Sequence, residues 1–118
     1  MVTIATTTLL LALNIVRKPE IPLKFDLLLN QVAEVRCKEM TVWSHNGWLK
    51  YTPKIFKKYN YAGEVLALDY YTSTTTVNAW LNSPSHKEIL LAKRYTNVGF
   101  ATCKNSLGIV TVGMFAGN

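Results

Sequence analysis

Between Arg94 and Asn97 the hydrophobic pattern of the chain changes period. Upstream, apolar residues recur at helical spacing. Downstream, Asn97 to Lys104 and Ile109 to Phe115 are rich in β-forming residues and are joined by Asn105-Ser106-Leu107-Gly108. Two such runs around a short loop read as an antiparallel hairpin with a four-residue connection. Helices first and a hairpin last place the chain in the α+β class, with helices packed on an antiparallel sheet.

Ahead of the hairpin the punctuation is dense. Residues 3–17 read as a mainly apolar helix ending near Arg17, with Pro19 and Pro22 stopping it and setting an extended link. Asp26 can cap the next helix, with Phe25 before it as a staple. From Leu27 to Met40 the period is helical. Leu29, Ala33, Cys37 and Met40 share one face with Val32 beside them, while Asn30, Glu34 and Lys38 share another. Glu34 and Lys38 form a favourable pair four residues apart. Trp43 to Tyr51 reads as a loop hinged at Gly47. Thr52-Pro53 starts a short basic helix through Lys58, with Thr52 as its cap. Asn60 to Gly63 reads as a turn, and Glu64 to Leu68 fits either a short strand or an irregular segment. Ser73 to Leu81 reads as a helix that Pro84 ends. Ser85 then caps a helix through Arg94, and Glu88 completes a capping box with it. No repeat, linker or low-complexity stretch intervenes, so residues 1–118 read as one domain.

The net charge is +6, and six of the thirteen basic residues lie between Arg36 and Lys58. Nucleic acid, an anionic membrane surface or an acidic partner would suit that charge, as would a plain solvated face. No basic run is interleaved with aromatics in the manner of a nucleic-acid module, so nucleic acid is set aside. The apolar run Val2 to Val16 is too short to span a bilayer and is broken by Thr6, Thr7, Thr8 and Asn14. A membrane partner is not expected either. The run has no basic segment before it and no A-x-A-like site after it, so it reads as the first helix and not as a signal peptide. The expected setting is cytoplasmic or virion-associated, not classical secretion. Cys37 and Cys103 allow one bridge. Cys37 lies on an apolar helix face, where a free buried thiol is common, and the sequence leaves the redox state of the two cysteines open. Neither cysteine has the spacing of a metal site.

The chain has two histidines, His45 and His86. Both fall beside turn residues and not in the middle of an apolar stripe. Neutral imidazole is a good metal ligand and a good acid or base near neutral pH. Glu64, beside Gly63, could join them as a third ligand, a partner that fixes a tautomer, or a base. These types suit zinc or another divalent metal. The spacing is long and contains no HExxH-type motif, so each residue also has a plain reading. His45 would be a loop residue, His86 a helix-start residue, and Glu64 a carboxylate bonded to backbone. Ser83 and Ser85 lie near His86, but no Gly-x-Ser-x-Gly elbow supports serine hydrolysis. Lys50, Lys54, Lys57 and Lys58 could attract anionic ligands to the same cleft or form a solvated helix face. Tyr59, Tyr61, Tyr70 and Tyr71 could line a pocket or pack in the core.

Taken together and in order, these motifs resemble the CAP superfamily (cysteine-rich secretory proteins, antigen 5 and pathogenesis-related proteins, also called SCP-like). Leu13-Asn14 with Arg17 is similar to the first-helix pattern of that family. Trp43-Ser44-His45 resembles its Ser-His motif, and Gly63-Glu64-Val65-Leu66-Ala67 resembles Gly-Glu-Asn-hydrophobic-Ala. Trp80 with Ser83-Pro84-Ser85-His86 resembles the bacterial-type Trp-x-x-Ser-Pro-x-His segment. Val98-Gly99-Phe100 and Phe115-Ala116-Gly117-Asn118 resemble the later strand and a common ending. The resemblance implies an α-β-α sandwich with a central antiparallel sheet. It also implies a cleft that holds His45, Glu64 and His86. The chain departs from the pattern at Val65, where the family has Asn. It departs again at Ser83, where many eukaryotic members carry a second acid. Multiple disulfides and a secretion signal are not expected, which is the compact form of a bacterial or phage-borne copy.

The expected function is that of a CAP-like domain whose His/Glu cleft binds a divalent metal, a small ligand or a peptide. His45 and His86 are the candidate metal ligands, and Glu64 is the candidate third member and the candidate catalytic residue. Zinc or another divalent metal is the one cofactor implied. A structural or interaction module, such as a subunit of a phage virion with protein partners, is the alternative. A peptidase-like hydrolase is the third reading. Fold does not decide among them.

Overall fold

The computed structural model describes residues 4–18 and 20–118. Residues 1–3 and Pro19 lie outside the described residues, and with them the expected helix start at residue 3 and the stop at Pro19.

Helix α1 (Thr6–Val16) turns Leu9 and Leu13 inward, and Arg17 follows one turn later. The Arg17 guanidinium is buried and donates to the carbonyls of Leu90, Ala92, Ile21 and Tyr95, the shortest bond being 2.6 Å to Leu90. A charged group out of water needs such partners, and here they fasten the end of α1 to a distant loop. Helix α2 (Leu27–Glu39) starts at Asp26, whose carboxylate accepts from the Leu29 amide at 3.1 Å. Asp26 is therefore the N-cap that the sequence announces. It also accepts from Lys58 at 2.9 Å and from the Tyr59 hydroxyl. Burial pushes the Asp26 carboxyl up, but bonds from Tyr59, Lys58 and Leu29 outweigh it and hold the group below its ordinary value.

Trp43 to Tyr51 is more regular than a loop. His45–Lys50 forms a 3-10 helix capped by Ser44, whose hydroxyl accepts from the Asn46 amide at 3.1 Å. Tyr51, also right-handed, links it to α3 (Thr52–Phe56) and takes the cap position expected of Thr52. Strand β2 (Tyr61–Leu68) begins within the expected turn and includes all of the ambiguous stretch. Pairing decides the matter, because β2 runs antiparallel to the last strand along its whole length.

Helix α4 (Ser73–Leu81) is capped by Thr72. Helix α5 (Pro84–Leu91) starts two residues earlier than the cap expected at Ser85 implies. Pro84 has no amide and a fixed φ, so it takes the first helical position and leaves the cap to Ser83. The Lys87 amide reaches the Ser83 carbonyl at 2.8 Å, and Glu88 is exposed on the outer face. Strands β3 (Asn97–Asn105) and β4 (Gly108–Gly117) form the hairpin. Asn105 pairs with Gly108, so its loop has two residues and not four. Gly108 makes this possible with a φ of +133°.

The sheet order is β1-β3-β4-β2, where β1 (Lys24–Phe25) pairs parallel with β3. The sheet is thus antiparallel except at one short edge. Side chains alternate across it and feed two cores. Val65, Val98, Phe100 and Phe115 face α1, α4 and α5. Leu66, Val110, Val112 and Met114 face α2 and α3. This is the α-β-α sandwich.

Cys37 and Cys103 form a disulfide between α2 and β3, so Cys37 is not a free thiol. The cause is the tight seat of α2 on β3. A Cβ built on Gly99 would stand 2.0 Å from the Asn30 amide nitrogen, which shows how closely helix and strand backbones approach. At that separation the two Cα atoms are 6.1 Å apart. Disulfides span roughly 4.4–6.8 Å between Cα atoms.

Candidate functional site

The edge of β2 carries a cleft of about 290 Å³. His45 enters from the 3-10 helix on one side of the sheet, and His86 enters from α5 on the other. Glu64 comes from β2 between them, and Trp48, Ile89 and Tyr95 complete the main walls. Gly63 lets α5 lie close, because a Cβ there would meet the Tyr95 hydroxyl at 2.9 Å and Ile89 at 3.2 Å. The Tyr95 hydroxyl donates to the Ala62 carbonyl at 3.1 Å. Along the same strand the Trp80 indole donates to the Leu66 carbonyl at 2.9 Å.

Glu64 is buried, and its two oxygens have three partners. Arg36 Nε donates to Oε2 at 2.8 Å, and a terminal Arg36 nitrogen donates to Oε1 at 3.3 Å. His45 Nδ1 lies 3.1 Å from the same Oε1. A third bond from Arg36, 2.7 Å to the Ser44 carbonyl, holds the turn that carries His45. An ionised carboxylate can only accept, so His45 carries a proton on Nδ1 and a neutral ring presents its lone pair on Nε2.

His86 stands with its ring centroid 5.6 Å from that of His45, tilted by 56°. Its Nε2 is buried and has no hydrogen-bond partner among the described residues. Burial, and secondarily the charge that His45 can carry, lower the His86 pKa below its ordinary 6.5. The ring is therefore neutral at pH 7. It also walls a second hollow of about 260 Å³ with Trp43, Leu68 and Tyr70.

These donors can be tested against a metal. An imidazole nitrogen sits about 2.0–2.1 Å from zinc, so two rings on one tetrahedral ion have centroids roughly 4.7–5.8 Å apart. The observed 5.6 Å falls in that range. No group of three or more His, Cys, Asp or Glu side chains suited to a metal occurs among the described residues. Glu64 lines the cleft, but its oxygens are taken up by Arg36 and His45. The residues fit an ion held by two histidines and completed by water or ligand.

The cleft thus brings together all three residues singled out in the sequence. Arg36, Trp48 and Tyr95 were not singled out. Arg36 left a signal, since it sits beside Cys37 on the face of Leu29 and Ala33, where an arginine must be buried with a partner.

A family model described as the cysteine-rich secretory protein family, CAP, matches residues 17–115. The chain belongs to the CAP family. Solved structures resemble this CAP domain closely. An extracellular protein containing an SCP domain from Bacillus anthracis is 22% identical with a TM-score of 0.82, over 96% of this chain and 40% of its own. An outer surface protein from Borrelia burgdorferi is 27% identical with a TM-score of 0.74, over 95% of this chain and 91% of its own. A cysteine-rich secretory protein from Staphylococcus aureus is 18% identical with a TM-score of 0.75, over 96% of this chain and 39% of its own. The CAP domain therefore spans about two-fifths of the Bacillus and Staphylococcus chains. Comparison with curated proteins returns no match. No helix among the described residues is long and apolar enough to cross a membrane.

Proposed function

We propose that this CAP domain binds a divalent metal ion, with zinc the best candidate, through Nε2 of His45 and Nε2 of His86, and presents it to a small ligand or peptide in the cleft. The observation that carries this reading is the His45/His86 pair. The two rings stand 5.6 Å apart, and one of them has a buried nitrogen without a partner. When bound, the ion would act as a Lewis acid toward a carbonyl or phosphoryl oxygen.

Each residue of the chain has a distinct part. Glu64 fixes the tautomer of His45 and turns Nε2 outward. Arg36 neutralises Glu64 and anchors the Ser44 carbonyl, which keeps the His45 turn in place. Glu64 is in this reading a positioning group and not a free general base. Burial keeps His86 neutral and able to donate its lone pair. Trp48, Ile89 and Tyr95 supply an apolar wall for the ligand. The Cys37–Cys103 bridge suits an oxidising compartment.

Titration calorimetry with zinc tests the reading. One equivalent should bind to the wild type, and His45→Ala/His86→Ala should abolish the signal while keeping the same circular dichroism spectrum. Unchanged binding by the double variant would overturn it.

A further inference from the structure

From His45 to Lys57 the backbone is right-handed and helical throughout, because Tyr51 (φ −101°, ψ −17°) and Lys57 (φ −70°, ψ −25°) continue the turn of the two short helices. This segment carries three stripes. Trp48, Thr52 and Ile55 face the core. Leu49, Pro53 and Phe56, spaced by four and three, face solvent, with Leu49 64% and Phe56 51% exposed. Lys50, Lys54 and Lys57 follow the same spacing one residue later and are also exposed. Val42, 69% exposed, lines the same hollow as Lys50 and extends the apolar surface. Residues three and four apart share a helix face, so an exposed apolar stripe runs beside a stripe of ammonium groups.

We propose that this face is a docking surface for an anionic lipid bilayer. An apolar ridge bordered by lysines suits the boundary between acyl chains and charged headgroups. The lysines can lay their stems along the apolar surface and lift their ammonium groups to the phosphates. The charge complements such a surface, since the chain carries +6 overall and three lysines lie on this one face. Lys50 shares the exposed Glu39 at 3.1 Å, a pairing that water screens and a headgroup can replace. An acidic protein would use the lysines equally well but would not require Leu49 and Phe56 to project bare into water. The docked surface is built from other residues than the two histidines, so zinc is not needed for it.

Co-sedimentation with phosphatidylcholine vesicles that carry or lack phosphatidylserine tests the proposal. The wild type should pellet with the serine-containing vesicles only, and less so as salt rises. Lys50→Gln/Lys54→Gln/Lys57→Gln should weaken binding by about fivefold per lysine, or roughly a hundredfold in all. Leu49→Ser/Phe56→Ser should weaken it by at least about tenfold through lost apolar burial. His45→Ala/His86→Ala should bind as the wild type does, which separates this surface from the cleft. Leu49, Phe56 and the three lysines are exposed, and unchanged circular dichroism spectra will show that the variants fold. Equal binding to both vesicle types, binding to neither, or full binding by the Leu49/Phe56 variant would overturn the proposal. Absence of vesicle binding with lysine-dependent retention on poly-glutamate resin would overturn it in favour of an acidic protein partner.

Discussion

Arg36 and Glu64 meet between α2 and β2 at 2.8 Å, with 5% and 1% of their side chains exposed. The pair joins a helix on one face of the sheet to the strand that bears the cleft. It also supports His45 twice, through Glu64 and through the Ser44 carbonyl.

Arg36→Met should therefore be severe. It leaves the Glu64 carboxylate buried without its cation, which costs about 3–5 kcal/mol. Denaturant unfolding will measure the loss, and a loss under about 1 kcal/mol would contradict the account. Arg36→Met/Glu64→Leu removes both charges and should recover most of the stability, but not the orientation of His45.

His86 should make stability depend on pH near neutrality. Its pKa is lowered on folding, so the unfolded chain takes up this proton first as pH falls. The contribution is complete above the ordinary value of 6.5 and drains away as pH drops toward the lower folded value. Between roughly pH 7 and pH 5 the wild type should lose more stability than His86→Gln. Parallel curves for the two chains, measured by guanidinium unfolding at stepped pH, would show that the residue has no such role.

The Cys37–Cys103 bridge joins residues 66 positions apart. Chain-entropy bookkeeping for a loop of that size gives about 4 kcal/mol. Cys37→Ala/Cys103→Ala should lower the unfolding free energy by about that amount. Reductant should lower the wild type to match and leave the variant unmoved.

Gly99→Ala should be among the worst single changes in the chain. The added methyl would meet backbone atoms of Leu29 and Asn30 at 2.0–2.5 Å, and backbone cannot rotate away as a side chain can. Loss of soluble expression, or a fall of several kcal/mol, is expected. A melting temperature within a few degrees of wild type would mean that α2 can lift off β3 freely.

Much of this fold was legible where local signals agreed with tertiary ones. Asp26 as a cap, the face of Leu29 and Ala33, and the C-terminal hairpin all read correctly, because propensity and packing point the same way there. The failures have physical causes. Glu64 to Leu68 stayed ambiguous because its strand character comes from pairing with β4, some fifty residues downstream. The box at Ser85 and Glu88 failed because Pro84 claims the first helical position. The bridge stays open in the sequence because only the approach of α2 to β3 shows that the two sulfurs can meet. The site was half legible. His45, Glu64 and His86 stood out as residue types in a motif order, whereas Arg36 was hidden by being counted with the surface charges.

Strand β2 is the outer strand of the sheet, yet two of its carbonyls are already engaged by side chains. Trp80 caps Leu66, and Tyr95 caps Ala62. An open strand edge invites a neighbouring molecule to add a strand of its own and so begin a chain of copies. Here an indole and a phenol occupy places where a foreign backbone would bond. The consequence reaches beyond packing: the ligand cleft can stay open at the rim of a sheet without that rim becoming a seed for polymerisation.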